Sequence, residues 1–187
     1  MRKIKTKQQL EKEQKKKQTI LSILLITLLG FSTIGYAFFS STGEKQQAYN
    51  YKNLNFIQQN DLWYTQINNN NYIFNYLPDQ LKEISINTTI TIQNLENKPL
   101  YIVSPQDISY ILTSNLQNHI LRFQEACINL EECSEITPLK NCSTDNIIII
   151  NSSSEKTQIT QDQNCIFLEG DISKAANKFV YSLFNIE

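Results

Sequence analysis

A nearly continuous apolar segment close to the N-terminus is the clearest pattern in this 187-residue chain. No charged side chain occurs between Gln18 and Gly43, and residues 19–39 are almost all apolar. At about 1.5 Å per residue, a helix of this length extends about 31 Å, which matches the hydrocarbon core of a bilayer. The pattern predicts one transmembrane helix over residues 18–39.

Beyond this segment, short apolar and aromatic runs alternate with polar turns. Residues 62–67 and 72–76 read as two strands, and the asparagines at positions 68–71 between them tolerate the left-handed conformations of a hairpin turn. Residues 49–57 are predicted to add a preceding strand. Pro78 suits the first turn of a short helix that ends at Ile84.

Six aromatic residues lie in or beside these predicted strands. We interpret them mainly as core, because aromatic rings contribute strongly to core burial. The alternative is that four of them, Trp63, Tyr64, Phe74 and Tyr76, form a candidate binding surface. The full set is Tyr51, Phe56, Trp63, Tyr64, Phe74 and Tyr76.

The rest of the chain alternates predicted strands and two amphipathic helices. The first helix begins at Ser104-Pro105 and buries Ile108, Ile111, Leu112 and Leu116. The second is capped by Asp171, and its apolar stripe is expected to pack on the sheet rather than bind a partner. That stripe consists of Ile172, Ala175, Ala176, Phe179, Val180, Leu183 and Phe184. The strands are predicted at residues 88–92, 100–103, 120–127, 146–150, 157–160 and 165–168, and the four isoleucines at 147–150 are typical of a strand covered on both faces.

These elements predict an α+β domain with antiparallel hairpins and a mixed sheet. The segment that follows the apolar run is about 145 residues long, which suits a single domain with a core of its own. We therefore divide the chain into a basic head (1–17), a signal anchor (18–39), a polar linker (40–47) and an α+β domain (48–187).

Charge predicts the orientation of the anchor. Residues 1–17 contain eight basic and two acidic side chains, whereas the rest of the chain contains nine basic and 16 acidic ones. Positive charge is retained on the cytoplasmic side of a membrane. The chain is thus predicted to be a single-pass protein of the cell membrane, with its N-terminus cytoplasmic and its C-terminal domain outside.

Cleavage of the apolar segment is the main alternative to an anchor. Gly35 and Ala37 supply the small residues that a signal peptidase requires, and cleavage after Ala37 would release a secreted domain. An uncleaved anchor is favoured because the run exceeds the roughly 7 to 15 residues of a signal-peptide core. A pilin-type leader cut between Lys17 and Gln18 lacks the small residue expected before the cut.

Cysteine usage agrees with an exported domain. All four cysteines, Cys127, Cys133, Cys142 and Cys165, follow the apolar segment, and an even count in an oxidising compartment predicts two disulfides. The absence of a CxxC pair disfavours a zinc site. Of the three pairings, Cys127 with Cys133 and Cys142 with Cys165 is preferred, because it closes the shortest loops.

Motifs of catalysis are absent from the sequence. It contains no HExxH, GxSxG or phosphate-binding glycine loop, and the SxxK at residues 153–156 lacks its companion motifs. His119 is the only histidine, and a structural role is favoured for it. Asn87, Asn141 and Asn151 begin glycosylation sequons. We expect no enzymatic activity, no cofactor, no metal and no nucleic-acid partner.

Several motifs together resemble a family. The basic head, the span ending in IGYAFF, the FNYLP at residues 74–78 and the NCI at 164–166 look like those of small uncharacterised single-pass membrane proteins from archaeal genomes. The resemblance implies the same architecture and carries no assigned activity.

The leading interpretation of function is non-enzymatic: a membrane-tethered domain, held in the lipid bilayer, that binds or scaffolds a protein at the cell surface. The rival is an extracytoplasmic enzyme with an unfamiliar active site. A deep pocket with converging polar groups would favour the enzyme, and an exposed apolar or aromatic patch would favour binding.

Overall fold

The computed structural model describes residues 15–29, 47–104 and 110–186, and it divides the chain into two compact units, Met1–Lys45 and Gln46–Glu187. In the first unit, residues 15–29 form a helix, α1, whose side chains are exposed. No helix in the described ranges combines the length and the apolar character needed to cross a membrane. Residues 1–14, 30–39 and 40–46, which include the end of the predicted span and most of the linker, lie outside the described residues.

The second unit begins with a four-stranded antiparallel meander, sheet A. Its strands pair in the order in which they occur in the chain: β1 (Ala48–Tyr51), β2 (Leu54–Gln59), β3 (Leu62–Ile67) and β4 (Asn70–Phe74). The prediction of one strand over residues 49–57 is wrong, because the chain reverses at Lys52, whose φ is 51°. The hairpin predicted between β3 and β4 is confirmed.

Asparagine and aspartate supply the positive-φ residues of two of the three turns of sheet A. Asn60 and Asp61 join β2 to β3 with φ values of 49° and 62°, and Asn68 and Asn69 join β3 to β4 with φ values of 49° and 65°. Two consecutive residues of positive φ match the right-handed twist of the flanking strands, and these residue types adopt that conformation more readily than others. The hairpins consequently close without glycine.

The remaining strands form a six-stranded mixed sheet, sheet B. The order across it is β5-β9-β10-β8-β6-β7, and only the β9–β10 pair is antiparallel. The strands are β5 (Ser85–Asn87), β6 (Pro99–Val103), β7 (Arg122–Glu125), β8 (Ile147–Asn151), β9 (Gln158–Asp162) and β10 (Cys165–Glu169). The predicted α+β class with antiparallel and mixed sheets is confirmed.

The described residues of this unit form the helices α2 (Ile92–Leu95), α3 (Tyr110–Leu116) and α4 (Ile172–Leu183), together with 3-10 helices at Pro78–Leu81 and Leu130–Glu132. The strand predicted over residues 88–92 is wrong. The side-chain oxygen of Asn94 accepts hydrogen bonds from the N–H and hydroxyl of Thr91, so that Thr91 caps a helix instead of continuing a strand. The predicted start of α3, including Ile108, lies outside the described residues.

The main core lies where α3, α4, sheet A and one face of sheet B meet. The apolar stripe predicted for α4 is buried from Ile172 to Leu183, and Asp171 caps the helix by accepting from the N–H of Lys174. Ile148 and Ile150 face this core, whereas Ile147 and Ile149 join a smaller apolar cluster on the opposite face of sheet B. The prediction that this strand is covered on both faces is confirmed.

Two buried asparagines complete the edge of sheet A. The side chain of Asn115 on α3 accepts from the N–H of Ile73 at 2.8 Å and donates to its carbonyl at 2.7 Å. The side-chain oxygen of Asn177 on α4 accepts from the N–H of Asn75 at 2.9 Å. Because β4 is an edge strand, these amides supply partners that a neighbouring strand would otherwise provide.

Candidate interaction surface

The four aromatic residues proposed from sequence as a binding surface do not form one. Phe74 is fully buried, and Trp63, opposite it on β3, is partly buried against the same core. Tyr64 lies on the other face of sheet A, in a row with Ile57 and Ile73. Tyr76 packs at the edge of the core. Alternation along β3 therefore places neighbours in sequence on opposite faces of the sheet.

The inward-facing aromatic rings form a structural cluster, as the core interpretation predicts. The rings of Phe74 and Tyr181 stack with centroids 4.0 Å apart, and Phe56 meets each of them edge-on at 6.2 Å. The hydroxyl of Tyr181 donates to the carbonyl of Tyr76 at 2.8 Å. Burial raises the pKa of Tyr181 far above its usual range, so the hydroxyl remains a neutral donor.

His119 lies between a hydroxyl and a carboxylate, an arrangement that activates nucleophiles in some enzymes. Its Nε2 is 2.8 Å from the hydroxyl of Tyr72, and its Nδ1 is 4.0 Å from the carboxylate of Glu96. However, Tyr72 is only 2% exposed, and burial raises the pKa of its hydroxyl. The geometry therefore favours a structural role, in which His119 joins β4 to the loop after α2 and packs against Phe184.

Both disulfides predicted from the sequence are present. Cys127 is bonded to Cys133, and Cys142 is bonded to Cys165 at the start of β10. We call residues 127–142 the cysteine loop. Since each end of the loop is a disulfide cysteine, the loop is tied covalently to itself at one end and to sheet B at the other.

Backbone hydrogen bonds fix the shape of the cysteine loop. The N–H of Cys127 donates to the carbonyl of Pro138 at 3.1 Å, and the N–H of Lys140 donates to the carbonyl of Cys127 at 2.8 Å. The side chain of Asn129 caps the 3-10 helix by accepting from the N–H of Glu131. A loop held in this way loses little conformational entropy when it binds a partner.

Four aliphatic side chains of the cysteine loop are exposed, and we call them the apolar loop surface. Ile128 is 40% exposed, Leu130 73%, Ile136 94% and Leu139 51%. Among described residues of the second unit, the other large apolar side chains exposed to this degree are Tyr110 and Leu121. The concentration within twelve consecutive residues distinguishes the loop from the scattered single apolar residues normal on any protein surface.

A cavity of about 470 Å³ adjoins the apolar loop surface. Ile128 and Leu139 form its apolar side, and Lys140 and Asp145 form a polar side. The Lys140 ammonium lies 3.3 Å from the Asp145 carboxylate and 4.1 Å from the centre of the Tyr101 ring. The cavity therefore suits insertion of a small apolar side chain beside the ion pair of Lys140 and Asp145.

A second cavity, of about 380 Å³, lies between the segment that follows β5 and the end of α4. No residue that lines it is charged, so the described lining supplies no base for its hydroxyl groups. Its polar lining consists of Thr88, Thr89, Thr91, Ser182 and Asn185.

Within the described ranges, no group of three or more His, Cys, Asp or Glu side chains is arranged to hold a metal ion.

Comparisons with protein families, with characterised proteins and with solved structures find no significant match. The resemblance to archaeal single-pass membrane proteins stays a prediction.

Sequence reasoning missed the apolar loop surface. Its residues follow neither a helical nor a strand period, so no pattern separates them from buried loop residues. The available signal was the occurrence of a leucine and an isoleucine, each next to a glutamate, inside a disulfide-bounded loop.

Proposed function

We propose that this protein is a single-pass membrane-anchored domain that binds a partner protein outside the cytoplasm through the apolar loop surface. The location is supported by the apolar run over residues 19–39, the basic head before it and the acidic excess after it. Two disulfides agree with an oxidising compartment.

The exposed aliphatic side chains of the cysteine loop are the observation that carries the proposal. Exposed apolar side chains that lie together, as Ile128 and Leu139 do at the cavity, are typical of sites of protein association. The loop presents this surface on a disulfide-bonded, hydrogen-bonded frame, and a rigid frame reduces the entropic cost of association. Binding is favoured over catalysis because the described cavities do not pair a nucleophile with a base.

Substitution within the loop tests the proposal in the full-length chain. In detergent-solubilised membranes, the double variant Leu130→Ser/Ile136→Ser is expected to lose its co-purifying partner at least about tenfold, because two apolar anchors are removed. Both side chains are exposed, so the free energy of unfolding should change by about 0.5 kcal/mol or less. Leu121→Ser is the matched control, since Leu121 is 63% exposed outside the loop. Equal recovery with all three chains, or no specific partner with the unmodified chain, would overturn the proposal.

A further inference from the structure

We infer that the partner presents a positively charged protein segment with aliphatic side chains to the apolar loop surface, and that this surface does not dock on lipid. The inference rests on the proposed function and specifies the chemistry of its partner.

Exposed carboxylates alternate with the apolar anchors along the cysteine loop. Glu131 follows Leu130, Glu135 precedes Ile136, and Glu125 ends the strand that leads into the loop. All three glutamates are exposed, and none forms an ion pair with another described residue. A partner cation is therefore free to approach each carboxylate.

The cysteine loop has no spare positive charge to balance these carboxylates. Residues 125–142 contain four glutamates and a single basic residue, Lys140. The Lys140 ammonium is already engaged by the Asp145 carboxylate and the Tyr101 ring. Negative charge thus predominates along this stretch of the chain, which favours arginine or lysine on the partner and repels acidic proteins.

The same charge argues against a membrane surface as the occupant. Loops that dock on anionic headgroups carry lysine and arginine beside their apolar residues. Here each anchor of the pair Leu130 and Ile136 is adjacent to a carboxylate, which anionic headgroups would repel. A protein segment that combines basic and aliphatic side chains satisfies both components of the surface.

The cavity beside the loop provides the apolar component of recognition. Ile128 and Leu139 line it, and both belong to the exposed set. An aliphatic side chain of the partner inserted there would remove apolar surface of both proteins from water.

Site-specific photo-cross-linking in native membranes tests the inference. p-Benzoylphenylalanine replaces Ser134, an exposed residue of the cysteine loop that is not one of the apolar anchors, in the full-length chain. The yield of cross-linked protein is compared among charge variants. The yield is expected to fall about tenfold in Glu131→Lys/Glu135→Lys and less in Glu131→Gln/Glu135→Gln, because only the first repels a cation. Glu83→Lys/Glu155→Lys makes the same charge change at exposed sites elsewhere and should leave the yield unaltered.

The outcomes separate this inference from the proposed function. Loss of the cross-link between about 0.05 and 0.5 M salt, with arginine or lysine in the cross-linked peptide, supports a basic partner. A protein cross-link that withstands charge reversal and salt leaves the proposed function intact and overturns the basic partner. Cross-linking to lipid overturns the inference, and the absence of any cross-link to protein overturns the proposed function itself.

Discussion

Two buried asparagine side chains join sheet A to helices α3 and α4. Asn115 and Asn177 are buried, and each bonds backbone groups at the edge of β4. Sequence alone did not distinguish them from the many solvated asparagines, because a side-chain amide reveals its partner only after the fold brings the two together. By contrast, the asparagines at positions 68 and 69 were recognised from their local turn chemistry.

Asn115→Ala is expected to destabilise the domain by about 1 to 3 kcal/mol, since it removes the side-chain partner of the N–H and carbonyl of Ile73, which are part-buried. Urea unfolding of Gln46–Glu187, followed by the fluorescence of the only tryptophan, Trp63, measures the change. Asn118→Ala, at an exposed position just after α3, is the control. Equal midpoints for the two variants would contradict the role of the amide.

The backbone conformation at position 170 and the close approach of Lys156 both require glycine. Its φ is +76°, and a Cβ there would lie 2.7 Å from the carbonyl oxygen of Lys156, in the connection between β8 and β9. Gly170→Ala is therefore expected to lower the free energy of unfolding by about 1 to 3 kcal/mol. The same urea titration detects the loss, with Ser153→Ala in that connection as the comparison, and an unaffected Gly170→Ala midpoint would show that the backbone relaxes.

At the scale of elements, a helix or strand could be predicted from the sequence where its local pattern agreed with its packing in the fold. The stripe of α4 and the four isoleucines of β8 were predicted because their period matches the surface they cover. Residues 88–92 alternate in the manner of a strand, yet Ile90 and Ile92 are both buried around a helix cap. The exposure of the apolar side chains in the cysteine loop was not predictable, because a loop has no regular period that separates buried from exposed positions.

Helix α4 contributes core rather than partner contacts. Phe179 is fully buried, and Phe179→Ala is expected to cost about 3 to 5 kcal/mol through lost burial and the cavity it leaves. Thermal unfolding of Gln46–Glu187 tests this, with Ser173→Ala on the same helix as the control. An unchanged midpoint would contradict the contribution of Phe179 to the stability of the core.

The two disulfides are expected to stabilise the domain unequally. Replacing Cys142 and Cys165 with alanine should cost about 3 kcal/mol and replacing Cys127 and Cys133 about 2 kcal/mol, because the enclosed segments differ in length. Urea titration of the two double variants measures the difference. If the loss of Cys127–Cys133, which encloses the shorter segment, lowered the free energy of unfolding more, loop-closure entropy would not determine which disulfide stabilises the domain more.

At the scale of the whole molecule, the chain is expected to place its second unit outside the cell. Protease added to sealed cells should degrade that unit and leave the basic head at residues 1–17 protected, because positive charge favours the cytoplasmic side. Immunoblotting with antibodies to each end provides the measurement. Protection of the C-terminal unit until lysis would reverse the orientation, and a mature N-terminus at Phe38 would establish cleavage.

The cysteine loop also has a consequence for how this protein diverges over time. Its exposed anchors contribute little to the folding free energy, while its two covalent ties are independent of the anchors' identity. If the proposed function holds, substitutions at Leu130 or Ile136 are expected to alter recognition and to leave the scaffold intact. Descendants of this chain would then exchange partners while they conserve the four cysteines, and the same property would make residues 128–139 a suitable segment for laboratory diversification.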